Sequence, residues 1–195
     1  MKIAVIGAGK WGKNHIRTFN EMGVLAGVIE LNDDLRKSTQ ETYPSLSFFS
    51  SLDEEGTLDF DAYSVVVPAE LHFSIAEKLL KLGKHVLVEK PITLTSKDAK
   101  SLNQIAKKNN CILMVGHLLL FHPAFMKMKE LIDAGKLGKI QYIYSNRLNL
   151  GTVRKEENSL WSFAPHDISL FLDMIGSAPR DVVCSGGALS KPTVH

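Results

Sequence analysis

Three glycines in the segment GAGKWG, Gly7, Gly9 and Gly12, have the spacing that holds a pyrophosphate against main-chain N–H groups. The first allows a sharp turn at the end of an apolar run, and the second leaves no side chain where phosphate must approach. The third lets the following helix pack closely on that run. Lys10 and Trp11 lie inside the same loop and join the candidate cofactor-binding set. Glu30 comes 18 residues after Gly12, at the end of a second apolar run. A carboxylate there accepts hydrogen bonds from an adenosine ribose and repels a 2′-phosphate, so the pattern predicts NAD as cofactor, with NADP disfavoured. The plainer alternative is a glycine turn followed by a solvent-facing glutamate.

Further polar residues fall just after other apolar runs. Pro68 and His72 follow VVV, Glu89, Lys90 and Pro91 follow VLV, and His117 follows MVG. Open α/β sheets bind ligands at the carboxyl ends of their strands, which would gather these residues beside the glycine loop. Singly, each has a structural reading: the prolines as strand terminators, His72 as a cap, Glu89 and Lys90 as a solvated pair. Their shared location places Pro68, His72, Glu89 and Lys90 in the cofactor-binding set.

The elements that must position them read as alternating strands and helices. Apolar runs predict strands over residues 2–6, 24–29, 46–49, 61–67, 85–88 and 111–115. Helical patterns fill 11–22, 32–43, 72–82 and 96–109, with Asn32 and Ser96 as N-caps. Strands that are almost wholly apolar argue for a parallel sheet covered by helices on both faces. The prediction is an α/β fold with a Rossmann, doubly wound parallel sheet over residues 1–119.

After Gly116 the pattern changes. A helix over 123–134 precedes the longest alternating run, KIQYIYSNRLNL at 139–150. A polar loop, a helix over 162–175 and a short strand over 181–184 follow. An alternating strand is half-buried, unlike those before it, so a second, partial α/β domain is placed at 120–195. Its apolar face, Ile140, Tyr142, Tyr144 and Leu148, demands a cover, and an incomplete sheet leaves unpaired edge groups; both predict a homo-oligomer formed through residues 139–150 and 181–190, or else disorder in part of that region.

Composition excludes several classes. The 195 residues carry 23 Lys and Arg against 21 Asp and Glu, a net charge of +2. That balance gives no electrostatic footprint for nucleic acid or an anionic membrane. Cys111 and Cys184 lack metal-site or redox spacing and sit in apolar segments, which predicts buried free thiols in a reducing compartment. Met1 leads directly into the first strand, leaving no signal peptide, and no apolar run reaches the length of a membrane span. The expected location is cytoplasmic, and no metal site is predicted.

Taken together, GAGKWG, Glu30, VVPAELH, GKHVLVEKP and WSFAPHDISLFLDMIG resemble the glucose-fructose oxidoreductase / inositol dehydrogenase (Gfo/Idh/MocA) family. The resemblance covers essentially the whole chain, and EKP is its most specific motif. It implies a Rossmann domain followed by an α/β domain whose open, mostly antiparallel sheet carries a sugar site and often the oligomer contact. It also implies catalytic roles for Lys90, which hydrogen-bonds the reacting hydroxyl, and His166, which exchanges the hydroxyl proton. The Lys90–Pro91 bond is often cis in such proteins, and Gly176 stands ten residues after His166 as the pattern expects.

The implied activity is an NAD(P)-dependent oxidoreductase reaction at a CH–OH group, with hydride moving between a secondary hydroxyl of a sugar, in particular a nucleotide sugar, and nicotinamide. Arg147 and Asn149 share a strand face with Gln141 and Ser145 and are assigned to substrate diphosphate or ring hydroxyls. The alternative for Arg147 is a solvent-facing strand residue. Two departures stand out. Ser162 occupies the place of a family aspartate four residues before His166, so either Asp167 orients the imidazole or the proton relay is weaker. Family members also run considerably longer, which predicts a truncated second domain. The competing reading is a catalytically inactive or truncated dinucleotide-binding module; another reaction of the same family, such as biliverdin or dihydrodiol-type reduction, is a further one.

Overall fold

The computed structural model describes residues 1–148 and 159–187. The chain divides into two compact units, Met1–Gly116 and a second from His117 onward. In the first, strand β1 (Ile3–Ile6) is buried along its whole length. Ala4 and Ile6 pack into one apolar cluster with Val65, Leu79 and Val88, while Val5 packs into another with Ile16 and Val28. Both faces of the strand are therefore covered, which explains why its sequence shows no polar alternation.

Strands β2 (Leu25–Ile29), β3 (Ser47–Phe49), β4 (Ala62–Val65), β5 (His85–Val88) and β6 (Leu113–Val115) complete the sheet. Every neighbouring pair is parallel, in the order β3-β2-β1-β4-β5-β6. Helices α1 (Gly12–Glu21), α2 (Asp33–Thr42), α3 (Ala69–Lys81) and α4 (Ser96–Lys108) make the crossovers. This is the doubly wound arrangement the sequence predicts. The strand order reverses between β1 and β4, opening a crevice at their carboxyl ends. Leu79, Leu80 and Leu102 are fully withdrawn from water, each contributing about 1.5–3 kcal/mol of apolar burial.

Local differences from the sequence reading have physical causes. Helix α3 begins at Ala69, directly after Pro68, whose carbonyl accepts the Leu71 N–H at 2.9 Å. His72 thus lies inside the first turn and is buried, not a cap. The cap of α4 is Thr95, not Ser96: Thr95 is extended and its Oγ1 accepts the Asp98 N–H at 3.1 Å. Both residue types can cap, and the backbone conformation decides between neighbours.

The second unit holds a short 3₁₀ turn at Leu118–Phe121, helix α5 (Pro123–Asp133) and helix α6 (Ser159–Ile175). Residues 139–148 and 181–187, expected to contain strands, form none. Tyr142, Tyr144, Leu148, Val182 and Val183 are largely exposed. Alternation defines a face but supplies no neighbour for the strand's N–H and C=O groups, so the expected open sheet is absent among the described residues. Cys111 is half-buried and Cys184 exposed, so the expectation of two buried thiols fails where its strand fails. Among the described residues no helix is long and apolar enough to cross a membrane.

Candidate functional site

The glycine loop joins β1 to α1. Gly7 has φ +97°, and a Cβ there would collide with the Val66 carbonyl oxygen; one on Gly12 would collide with the Gly7 carbonyl oxygen. The fold itself demands both glycines. A Cβ on Gly9, by contrast, would meet no atom within 4 Å. Helix α1 opens without a side-chain cap and without an acidic residue in its first turn. Its positive end therefore faces a loop with space beside it, an arrangement that fits an anionic ligand such as a dinucleotide pyrophosphate. Lys10 and Trp11 are both exposed in that loop.

Glu30 follows β2. Its Oε2 accepts the Ala8 N–H at 2.6 Å and its Oε1 the Asn32 N–H at 2.8 Å, so the carboxylate is fixed beside the glycine loop. Arg36, which the sequence reading passed over, donates from Nη1 to the Glu30 carbonyl at 2.8 Å and from Nη2 to Asp33 at 2.6 Å. Its fixed cation is thus spent on the main chain and on a helix-start aspartate.

The Glu89–Lys90–Pro91 segment leaves the end of β5. Glu89 is not solvated, being only 7% exposed. Its Oε1 accepts the Trp11 indole N–H at 2.9 Å and lies 3.0 Å from His15 Nε2, while its Oε2 accepts the Lys90 N–H at 3.1 Å. Burial alone works to raise its pKa, but the bonds from His15 and Trp11 outweigh this and hold the carboxyl below the usual range. The Lys90–Pro91 bond is cis. His72 does not open to the crevice: it is 1% exposed, with Nδ1 2.7 Å from the Pro91 carbonyl and Nε2 2.9 Å from the Val67 carbonyl. It ties the residues after β4 to those after β5, with Pro68 heading its helix.

His15 is the residue the sequence reading missed. A histidine three places into a helix carries no signal by itself; its meaning comes from Ser64 and Glu89, which lie 49 and 74 residues downstream.

In the second unit, His166 and Asp167 stand on α6, one residue after Pro165 and past Ser162, which is buried one turn earlier. Asp167 accepts from Arg147 Nε at 2.7 Å, from Arg147 Nη2 at 2.9 Å and from Ser145 Oγ at 3.1 Å. The Arg147 bonds, helped by Ser145, keep the Asp167 carboxyl below its ordinary pKa against the opposing effect of burial. Arg147 and Asp167 are thus brought together as a pair, and Asn149 lies outside the described residues. Gly176, at φ +73°, ends the helix.

Residues 1–117 match GFO/IDH/MocA, an oxidoreductase family with an NAD-binding Rossmann fold. Over 189 residues the chain is 31% identical to the UDP-N-acetylglucosamine 3-dehydrogenase of Acidithiobacillus ferrooxidans, covering 96% of this chain and 58% of that one. It is 27% identical over 180 residues to the scyllo-inositol 2-dehydrogenase (NAD(+)) of Bacillus subtilis, covering 89% and 50%. The solved structure of the Acidithiobacillus enzyme superposes with TM-score 0.63 at 32% identity, over 67% of this chain and 41% of that one. The chain spans about half the length of the relatives it matches.

Proposed function

The chain belongs to the GFO/IDH/MocA oxidoreductase family, and from that premise we propose that it moves hydride between a secondary hydroxyl of a nucleotide sugar and NAD. The observation that carries the cofactor half is the glycine loop, in which Gly9 alone keeps open space that the fold does not require. The substrate half is supported by the likeness, along nearly the whole chain, to a dehydrogenase named for UDP-N-acetylglucosamine. NAD is favoured over NADP because the Glu30 carboxylate is held beside the loop, where it accepts a ribose hydroxyl and repels a 2′-phosphate.

In this reading the main chain of Gly9, Lys10, Trp11 and Gly12 would hold the pyrophosphate, Gly7, whose N–H is given to the Ile29 carbonyl, would shape the turn, and Glu30 would hold the adenosine ribose. Bound NAD supplies the hydride acceptor. The Lys90 ammonium stabilises negative charge developing on the substrate hydroxyl oxygen, and the His166 imidazole takes the proton from that oxygen. Ser162 can orient the imidazole by a hydrogen bond but adds no charge to stabilise an imidazolium. Arg147 and Asn149 contact the diphosphate or ring hydroxyls, with Arg147 aligned by Asp167.

The test is to mix the chain with NAD and UDP-N-acetylglucosamine, then with a panel of other nucleotide sugars, and follow the reduced-nicotinamide absorbance. A sugar-dependent rise is expected. NAD binding without any rise across the panel overturns hydride transfer by this chain, and absence of NAD binding overturns the cofactor assignment as well.

A further inference from the structure

Ser64 is a fully buried hydroxyl on β4, among the apolar strands at the centre of the sheet. A buried hydroxyl costs free energy unless it is bonded, and its partner is His15 on α1, with Oγ 2.9 Å from Nδ1. The other ring nitrogen, Nε2, meets Glu89 Oε1 at 3.0 Å, so His15 bridges a strand hydroxyl to a buried carboxylate. The order serine, histidine, carboxylate is that of a nucleophilic triad. Here, however, Ser64 has no exposed surface through which a substrate could reach it, so the relay does not attack anything.

What the relay holds is Glu89. A Cβ on Gly116 would come within 2.8 Å of Glu89 Oε1, so that glycine leaves room for the carboxylate. The carboxylate thus meets His15 of α1 and accepts from the Trp11 indole of the glycine loop on one oxygen, and on its other oxygen it receives the N–H of Lys90. Trp11 belongs to the glycine loop and Lys90 follows β5, so a single buried carboxylate links the two. A buried carboxylate with one partner removed is destabilised and free to seek others.

We propose that His15 is a positioning residue: by tying Glu89, which also accepts from the Trp11 indole, to Ser64 of β4 it fixes the main chain of Lys90 relative to the cofactor loop. The role rests on the reading of Lys90 as the group at the reacting hydroxyl. It explains why a histidine on α1, a serine inside β4 and a glycine after β6 converge on one glutamate. The hydrogen-bonded state of Glu89, held below the usual carboxylate range, is the charged acceptor this arrangement needs.

The test uses the full chain, labelled for nuclear magnetic resonance, with His15→Ala, His15→Gln and Ser64→Ala. Trp161→Phe identifies the Trp11 indole signal, since the chain has two tryptophans. In His15→Ala the Lys90 amide should exchange with solvent about tenfold faster, and NADH should bind about tenfold more weakly, the effect of unfixing one charge-assisted acceptor. The Trp11 indole signal should shift. His15→Gln, which keeps a donor towards Glu89, should restore most of the Lys90 protection, and Ser64→Ala should fall between. If His15→Ala does not fold, Ser64→Ala, whose Lys90 exchange should still exceed that of His15→Gln, carries the test. Unchanged Lys90 exchange and Trp11 signal in the folded variants overturns the proposal. So does an equal acceleration of amides throughout the sheet, which marks a general loss of stability. A Lys90 response in the variants of a chain whose wild type binds no NADH overturns the proposed function while leaving the anchoring of Lys90 by His15 in place.

Discussion

Arg147 holds the Asp167 carboxylate by both oxygens, with Nε 2.7 Å from Oδ2 and Nη2 2.9 Å from Oδ1. This two-pronged geometry fits a guanidinium and not an ammonium. Asp167 adjoins His166, so the pair also governs the charge next to the candidate base. Arg147→Met should raise the Asp167 pKa towards its ordinary value, read from its carboxyl carbon in a pH titration. Because the folded pKa is depressed, the pair's stabilisation is present above the unfolded value of about 3.9 and is lost as pH falls through the folded value. With Arg147 about a third exposed, the loss at neutral pH should be about 1 kcal/mol or less. An Asp167 titration unmoved by the substitution would show that the pair does not persist in solution.

The glycine loop offers a paired test that separates folding from binding. A methyl group on Gly12 runs into the Gly7 carbonyl, whereas one on Gly9 meets open space. Gly12→Ala should lower the unfolding midpoint markedly, and Gly9→Ala should leave the unfolding free energy within about 1 kcal/mol of wild type while weakening NAD binding at least tenfold. Thermal unfolding and calorimetric titration of both variants check this. Gly9→Ala with full NAD affinity would remove the pyrophosphate from this loop.

The sheet was legible because its evidence is local. Runs such as IAVI and the VLV of residues 86–88 are wholly apolar, with Gly7 directly after the first and Pro91 three residues after the second. The glycine loop was legible for the same reason, since the turn, the close approach and the packing all fall within six residues of chain. His15, Ser64 and Glu89 were not, because they come from three elements and meet only when β4 lies between β1 and β5. Taken singly, Glu89 and Lys90 read as a solvated pair, and taken together with their neighbours as cofactor-site residues; the structure buries the Glu89 carboxylate against Trp11 and His15, which neither reading names as its partners. Residues 139–148 misled for the opposite reason. Their alternation is real, but a strand also needs a neighbour, and alternation does not encode where that neighbour comes from.

If Glu30 faces the adenosine ribose, the chain should bind NAD more tightly than NADP. Glu30→Ala should reduce NAD affinity and narrow the gap between the two cofactors. Equal or tighter binding of NADP by the unaltered chain in calorimetry would sink this role for Glu30 and direct attention to Arg36, whose guanidinium lies against the Glu30 carbonyl.

Lys90→Ala and His166→Ala should abolish sugar-dependent reduction of NAD while changing NAD affinity by less than about threefold, since neither is asked to hold the pyrophosphate. Stopped-flow turnover alongside equilibrium titration makes the comparison. A large loss of NAD affinity in both variants would move these residues out of the catalytic role and into cofactor binding.

Glu89 should leave its mark on acid stability. Burial favours its neutral form, yet the hydrogen bonds from His15 and Trp11 prevail and its folded pKa lies below the ordinary range. A carboxyl with a depressed folded pKa stabilises the fold above its unfolded value, about 4.3, and that stabilisation disappears as pH falls through the folded value. Glu89→Gln keeps the shape and one acceptor oxygen but removes the charge, and its amide turns an N–H towards donors that need an acceptor. The variant should therefore be about 1.5–3 kcal/mol less stable than wild type at pH 7. The gap should close as the wild-type carboxyl takes up its proton, so that urea unfolding curves of the two proteins approach one another on the acid side. A gap that stays constant as pH falls through the unfolded value would mean that Glu89 titrates alike in the folded and unfolded chain, and a wild type that gains on the variant in stability before its unfolded carboxyl titrates would mean that burial prevails over the bonds from His15 and Trp11; either outcome overturns the assignment.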